Sequence, residues 1–379
     1  MEIKRDNIKS KIIGESTGVL EINNEVIPLP QPALTSTDIN YADIFQRKSL
    51  KTFNFPHYVH ETREHWFNGE KWKKIDEFVG SPKYRQKKLD WLNGQIVKAR
   101  NNGKPIIFIY TPLISKNITI TVNFADALVA MELKSDLTMI TIPIPDLERN
   151  EQGAWIKARC LEVKKAGRVP ILLVEQNKDE IIFNRYLSFA KKYTDGVNVV
   201  FSKDKKYYFN LIALAVLGEN NFLRILSNVD FRFSKKDATA FLPLGFLFAD
   251  IVCSKLGRRI KKENEEISEE NEITNALRLD TITGGYLTIN QYKEHYPDLA
   301  LDECPPDRGN SIEDVSIDYQ GYIRTAFRIH DVFEMYNFFI QVANYIKFGT
   351  LEKHLNKRIY WKEKLKTLVP ANVPLNKYT

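Results

Sequence analysis

Between Lys104 and Cys253, short apolar runs alternate with stretches of helical length, and this alternation constrains the fold more than any other feature. The runs PIIFIYT, ITITV, LTMITIPI, PILLVE, GVNVVFS, FLRILSN and FLFADIV read as strands. Between them NFADALVAMEL, GAWIKARCLEVKKAG, DEIIFNRYLSFAKKY, YYFNLIALAVL and SKKDATAFLPLG read as helices, the second closed by Gly167 just past its last turn. Apolar strands alternating with helices are the pattern of right-handed βαβ units on a parallel sheet. A closed barrel and an open doubly wound sheet both meet it. No G-x-G-x-x-G follows a strand and no G-x-x-x-x-G-K-[ST] occurs, so the nucleotide-binding open sheets lack their usual marker. The expected fold is α/β: a (β/α)8 TIM-like barrel with N-terminal strands and a C-terminal helical extension.

The flanks divide the chain further. Residues 1–100 are expected to form N-terminal strands and a helical region leading into the barrel. KIIGES, GVLEIN and NEVIPLP read as strands, with Asn23-Asn24 as a turn, and Pro30 to Asp38 as a connecting loop. The main βα segment is assigned to 101–260 and a charged, turn-rich insertion to 261–322. The remainder, 323–379, is read as C-terminal helices on the spacing of Phe327, Val332, Tyr336, Phe339, Val342 and Ile346.

With 379 residues, 43% of them apolar and 27% charged, the chain has the composition of a globular protein with a large core. It contains no apolar run of spanning length, so no membrane partner is expected. The start, MEIKRDNIKSKIIGES, is too polar for a secretory leader, and three scattered cysteines fit a reducing compartment; a cytoplasmic location is expected. No C-x2-C pair occurs. His57, His60 and His65 are read as part of a polar, aromatic loop or surface, so neither a metal nor another cofactor is expected. A net charge of +7 favours a polyanionic partner. Lys83, Arg85, Lys87, Lys88, Lys98 and Arg100, interleaved with Tyr84 and Trp91, fit either a nucleic-acid surface or a plain solvated helix face.

Catalytic groups of a parallel barrel stand at the C-terminal ends of its strands. That rule selects Thr111, Asp146, Glu175 with Gln176, Ser202, Asn228 and Asp250. Asp146 also fits a helix N-cap, and Gln176 a turn. Asp250 differs, because a carboxylate inside FLFADIVCS interrupts an apolar run and is costly to bury without a partner. Either a salt bridge, for instance from Arg258 or Arg259, or a reaction that needs the carboxylate must offset that cost.

Taken in order, these segments resemble the tRNA-guanine transglycosylase superfamily, which includes the DNA 7-deazaguanine transglycosylases. GVLEINNEVIPLPQPAL is similar to its opening strands, SDLTMITIPIPDLERN to its base-recognition strand, and PILLVEQN to the strand ending in its base-reading glutamine. FADIVCSKLGRR is similar to the nucleophile strand, and HDVFEMYNFFIQVANYIKFGTLEKHL to the closing helix. The likeness runs nearly the length of the chain and lies in order and spacing more than in identities. Of the family's zinc ligands only Cys304 and His295 have counterparts. The segment matching its first acidic turn, PIIFIYTPLIS, holds no acid, and the recognition aspartate aligns with Asp146 or with Ile142.

The resemblance implies a pentosyltransferase that flips guanine out of a nucleic acid and replaces it with a 7-deazaguanine base. Asp250 would attack the sugar C1′ to form a covalent aspartyl-glycosyl intermediate. Gln176 and Asp146 would read the base, and Lys255, Arg258 and Arg259 would hold phosphates. The absence of a zinc module and of a further RNA-binding domain favours DNA over tRNA. A homodimer is compatible with the sequence. Two alternatives stay open: a non-catalytic nucleic-acid-binding subunit, and an unrelated barrel hydrolase or lyase.

Overall fold

The computed structural model describes residues 1–6, 15–35, 58–68, 73–103, 105–115, 118–202, 204–218, 221–229, 242–254, 277–280, 285–288, 294 and 338–357. Three N-terminal strands, β1 (Glu2–Arg5), β2 (Gly18–Ile22) and β3 (Glu25–Leu29), form an antiparallel sheet in sequence order. Asn23 and Asn24, with φ of 52° and 65°, make the expected turn between β2 and β3. Asparagine tolerates this left-handed backbone better than any other residue with a Cβ.

Eight parallel strands follow. They are β4 (Gln31–Thr35), β5 (Val59–Trp66), β6 (Ile107–Ile114), β7 (Met139–Ile142), β8 (Val169–Glu175), β9 (Gly196–Val200), β10 (Leu223–Val229) and β11 (Ile251–Ser254). Hydrogen-bonded neighbours run β6-β5-β4-β11-β10-β9-β8-β7, and contacts between β6 and β7 bring the ends of the sheet together. At that seam the Thr141 hydroxyl donates to the Tyr110 carbonyl at 2.6 Å. The result is the expected α/β barrel, nearly closed.

Helices cover the outside: α1 (Lys74–Gly80), α2 (Pro82–Gly103), α3 (Val122–Leu133), α4 (Arg149–Lys165), α5 (Glu180–Tyr193) and α6 (Tyr208–Val216). Outward strand residues such as Leu172, Val174, Val197, Val199 and Leu226 join Leu128, Ile156, Phe183, Leu187 and Leu211 of the helices in one buried cluster. Inward residues near the strand starts, including Ala33, Val59, Ile107, Met139, Ile171 and Ile225, join Ile3, Leu20, Ile22, Ile27 and Leu29 in another. The N-terminal sheet therefore stoppers the barrel at the N-terminal ends of its strands. Each fully buried aliphatic side chain there contributes roughly 1.5–3 kcal/mol. Two further strands, β12 (Leu277–Asp280) and β13 (Gly285–Thr288), pair as an antiparallel ribbon; residues 338–347 and α7 (Leu351–Asn356) are helical.

Four local expectations change. The segment from Pro30 to Asp38 contains the barrel strand β4, whose five residues are all buried, so the barrel starts at Gln31 and two of its strands precede residue 101. His60 and His65 belong to β5 and not to a loop, while His57 lies outside the described residues. ITITV is no strand, because Thr121 caps α3 by accepting the Phe124 amide at 3.3 Å. In FLFADIV only the last residues are extended; Leu242–Leu247 form a 3₁₀ helix, so Asp250 precedes β11.

Candidate functional site

The C-terminal ends of the strands surround a cavity of about 430 Å³. Its wall is built from strand ends in turn: His65 on β5, Leu113, Ile114 and Ser115 at the end of β6, and Ile144 beyond β7. Leu173, Val174, Glu175, Asn177 and Lys178 follow from β8, Val200, Phe201 and Ser202 from β9, and Asn228 from β10. Three residues selected from sequence, Glu175, Ser202 and Asn228, therefore meet on one surface. Thr111 lies one inward position below Leu113 on β6, buried in the barrel.

Among the described residues Glu175 is the only acid lining this cavity, and its Oε2 lies 3.1 Å from the Lys178 ammonium. The pair is partly solvated, with 26% and 41% of the two side chains exposed. A carboxylate paired with an ammonium group at the barrel mouth places a candidate nucleophile or general base beside a candidate proton donor. Asn228 reaches the wall because the β10–β11 register shifts between Leu226 and Val229 and its own φ is 59°. A bulge of this kind turns a side chain out of the strand's alternation.

Gln176 is fully buried and does not line the cavity. Its Nε2 donates to the Tyr207 carbonyl at 2.9 Å, and its Oε1 accepts the Ser202 amide at 2.8 Å. Asn210 Nδ2 donates to the Gln176 carbonyl at 2.7 Å and to that of Lys178 at 2.9 Å. Gln176 thus ties the loop after β8 to the loop after β9, and both ends of its amide are occupied. Asp146 is exposed, stands off the cavity and does not cap α4, whose N-cap is Glu148; its amide donates to the Ile120 carbonyl at 2.8 Å. Lys255, Arg258, Arg259, His295 and Cys304 lie outside the described residues.

Asp250 is at the opposite end of the barrel from the cavity. It immediately precedes β11, and its carbonyl accepts the amide of Gln31 at the start of β4. The carboxylate takes Arg5 at 2.7 and 2.9 Å, Arg224 Nη2 at 2.8 Å, the Arg224 amide at 2.9 Å and the Ser16 hydroxyl at 3.0 Å, all out of water. Burial alone would raise its pKa, but Arg224 and Arg5 outweigh that and hold the carboxyl well below the ordinary range. Arg224 also donates to the Ala215 carbonyl at 2.6 Å, at the C-terminal end of α6 where the helix dipole favours a cation. A carboxylate in an apolar run requires a salt bridge or a reaction to offset its burial. The salt bridge is present, with Arg5 and Arg224 as partners in place of Arg258 or Arg259.

Half of the basic residues of α2 are engaged with the protein, while Lys83, Lys87 and Lys98 are exposed. Arg85 donates to the last carbonyls of α1, Phe78 and Val79, Lys88 pairs with Glu64 at 2.6 Å, and Arg100 pairs with Asp136 at 2.8 Å. Sequence reasoning missed β5, which sends Glu61, Arg63 and His65 inward, on the face of Val59, and Glu64 and Trp66 outward. Polar residues fall on both faces of VHETREHW, so hydrophobic alternation is silent there. The histidine spacing was the one visible signal.

Among the described residues no group of three or more His, Cys, Asp or Glu side chains is placed to hold a metal ion, and no helix is long and apolar enough to cross a membrane. Fold and site together define an α/β barrel with its cavity at the C-terminal mouth. No family model and no curated protein matches the chain. Among solved structures it is similar to the X-ray crystal structure of the YdjI aldolase from Escherichia coli K12, at 8% identity over 87% of this chain and 91% of that one, with a TM-score of 0.34. At that identity and score the likeness says nothing about chemistry.

Proposed function

We propose that the protein is a barrel enzyme working at its C-terminal mouth, and that its reaction is exchange of guanine in a nucleic acid, DNA in preference to tRNA, for a 7-deazaguanine base. The observation that carries this reading is the cavity itself, which is large enough for a nucleobase and carries the Glu175 carboxylate beside Lys178 at its wall. The order of segments shared with the transglycosylase superfamily supports the choice of reaction. Within the reading the nucleophile is Glu175 and not Asp250. Its carboxylate attacks C1′ as the bond to guanine N9 breaks, and the departing base takes a proton from the Lys178 ammonium. An incoming 7-deazaguanine returns that proton as it displaces the ester, so configuration is retained overall.

A second reading, a barrel hydrolase or lyase acting on a small molecule, is favoured by the position of Asp250. The residue that carries the resemblance to the nucleophile strand lies at the stoppered end. Mass spectrometry of nucleosides from DNA and tRNA, in cells with and without the protein, decides between them. Base exchange requires a deazaguanosine that disappears with the protein. Identical nucleoside profiles overturn it.

A further inference from the structure

The inside of the barrel changes character below the cavity. The middle of a parallel barrel is ordinarily filled by branched aliphatic side chains. Here the inward positions include Glu61 and Arg63 on β5, Thr111 on β6, Asn198 on β9, Ser227 on β10 and Cys253 on β11. Asn198 Nδ2 donates to the Thr111 hydroxyl at 3.1 Å, and that hydroxyl lies 3.2 Å from the Ser227 hydroxyl. The Cys253 thiol is fully buried close to Ser227 and Glu61, and burial pushes its pKa well above the ordinary value. Asn198 Oδ1 is buried and has no hydrogen-bond partner among the described residues.

Arg63 stands out in this layer. Its side chain is 10% exposed, and its Nε lies 3.2 Å from Glu61 Oε2. Its two terminal nitrogens have no hydrogen-bond acceptor among the described residues. Arg63 is opposite Thr111 in register; the next inward pair towards the mouth, His65 and Leu113, already lines the cavity. That pair is two residues away, roughly 7 Å along the strand. Neither terminal nitrogen is a sealed, unpartnered atom, so this edge of the guanidinium is open to water or to a ligand. The free edge, Nη1 with Nη2, is a fork that matches two oxygens of a planar or tetrahedral oxyanion.

We infer that Arg63 forms an oxyanion subsite at the floor of the cavity, taking a carboxylate or phosphate group of the ligand, with the Thr111 and Ser227 hydroxyls beside it. Glu61 holds the guanidinium from its Nε side and leaves the fork directed at the ligand. The inference rests on the mouth being the working site and not on base exchange. Anion binding can therefore fail while nucleoside exchange succeeds, and the reverse.

The test is thermal unfolding of the full chain titrated with inorganic phosphate, with acetate, and with chloride at matched ionic strength. Phosphate, acetate or both should raise the unfolding temperature saturably where chloride does not, and the anion that does so identifies the source of the oxyanion. Arg63→Met should weaken that binding at least about tenfold, and Arg63→Lys should weaken it less. Glu61→Gln, which removes the competing carboxylate, should tighten it. Should Arg63→Met fail to fold, the Glu61→Gln/Arg63→Met double variant, which leaves no lone charge, takes its place. Equal responses to all three anions in the wild type, or an unchanged response in the Arg63 variants, overturn the inference.

Discussion

Arg224 grips Asp250 from two sides, with Nη2 at 2.8 Å from Oδ1 and Nε at 3.2 Å from Oδ2, and both side chains are wholly buried. Arg5 adds a second guanidinium from the N-terminal sheet. The cluster fastens β1 to the starts of β10 and β11 and to the end of α6. Removing one member strands buried charge, so Asp250→Ala should cost about 3–5 kcal/mol of stability in urea unfolding. A nucleophile at a solvated mouth would instead lose activity with little change in stability. A variant as stable as wild type refutes the structural role.

Acid should loosen the same joint. The folded carboxyl titrates below its ordinary value, because the two arginines outweigh burial. The folded state therefore binds fewer protons than the unfolded one in that range. The stabilisation is fully present above about pH 5 and is lost as pH falls below about 4. Wild type should lose stability more steeply than Asp250→Asn between about pH 5 and pH 3. Parallel curves would count against the assignment.

Glu132 of α3 behaves in the opposite sense. It is fully buried, and burial raises its pKa well above the ordinary value, although its Oε2 accepts the Thr141 amide at 2.6 Å. The folded state then holds a proton that the unfolded state releases, so this contribution falls as pH rises above about 4.5. Glu132→Gln keeps the acceptor and removes the titration. Its unfolding temperature relative to wild type should be higher at pH 8 than at pH 5, and a constant difference would refute the neutral carboxyl.

If the proposed reaction is base exchange at Glu175, then Glu175→Gln should lower it at least about a hundredfold. Because the pair with Lys178 is partly solvated, stability should change by no more than about 0.5 kcal/mol. Exchange of labelled guanine at the wild-type rate would remove Glu175 from the mechanism.

Gln176→Leu should behave as a broken tie and not as a lost base contact. It leaves the Ser202 amide and the Tyr207 carbonyl without their partner, at a cost of about 1–3 kcal/mol. Amide exchange should accelerate in residues 201–207. Unchanged stability together with weakened ligand binding would restore the base-reading role.

Much of the fold was legible because strands β6 to β10 are apolar runs bounded by helices of clear period. β4 and β5 were not legible. QPALT follows a proline and resembles a loop, and VHETREHW faces a polar barrel interior, which erases the alternation that marks a strand. At the site, Glu175, Ser202 and Asn228 were found by the strand-end rule alone. Arg63 was missed along with its strand, and His65, though noted, was assigned to a loop or surface.

The sequence by itself determined that a parallel α/β fold forms, since period and apolar content are local properties that survive without knowledge of contacts. Closure into a barrel, where β6 meets β7, was decided by the tertiary structure. It also determined that Asp250 needs a partner, because a carboxylate in an apolar run cannot be buried alone. Only the tertiary structure decided which partner, and hence at which end of the barrel the residue stands. Two residues of chain separate an acid before a strand from one within it, whereas Arg5 lies 245 positions away. Contacts across such distances are set by how the N-terminal sheet closes the barrel, and no local pattern encodes them.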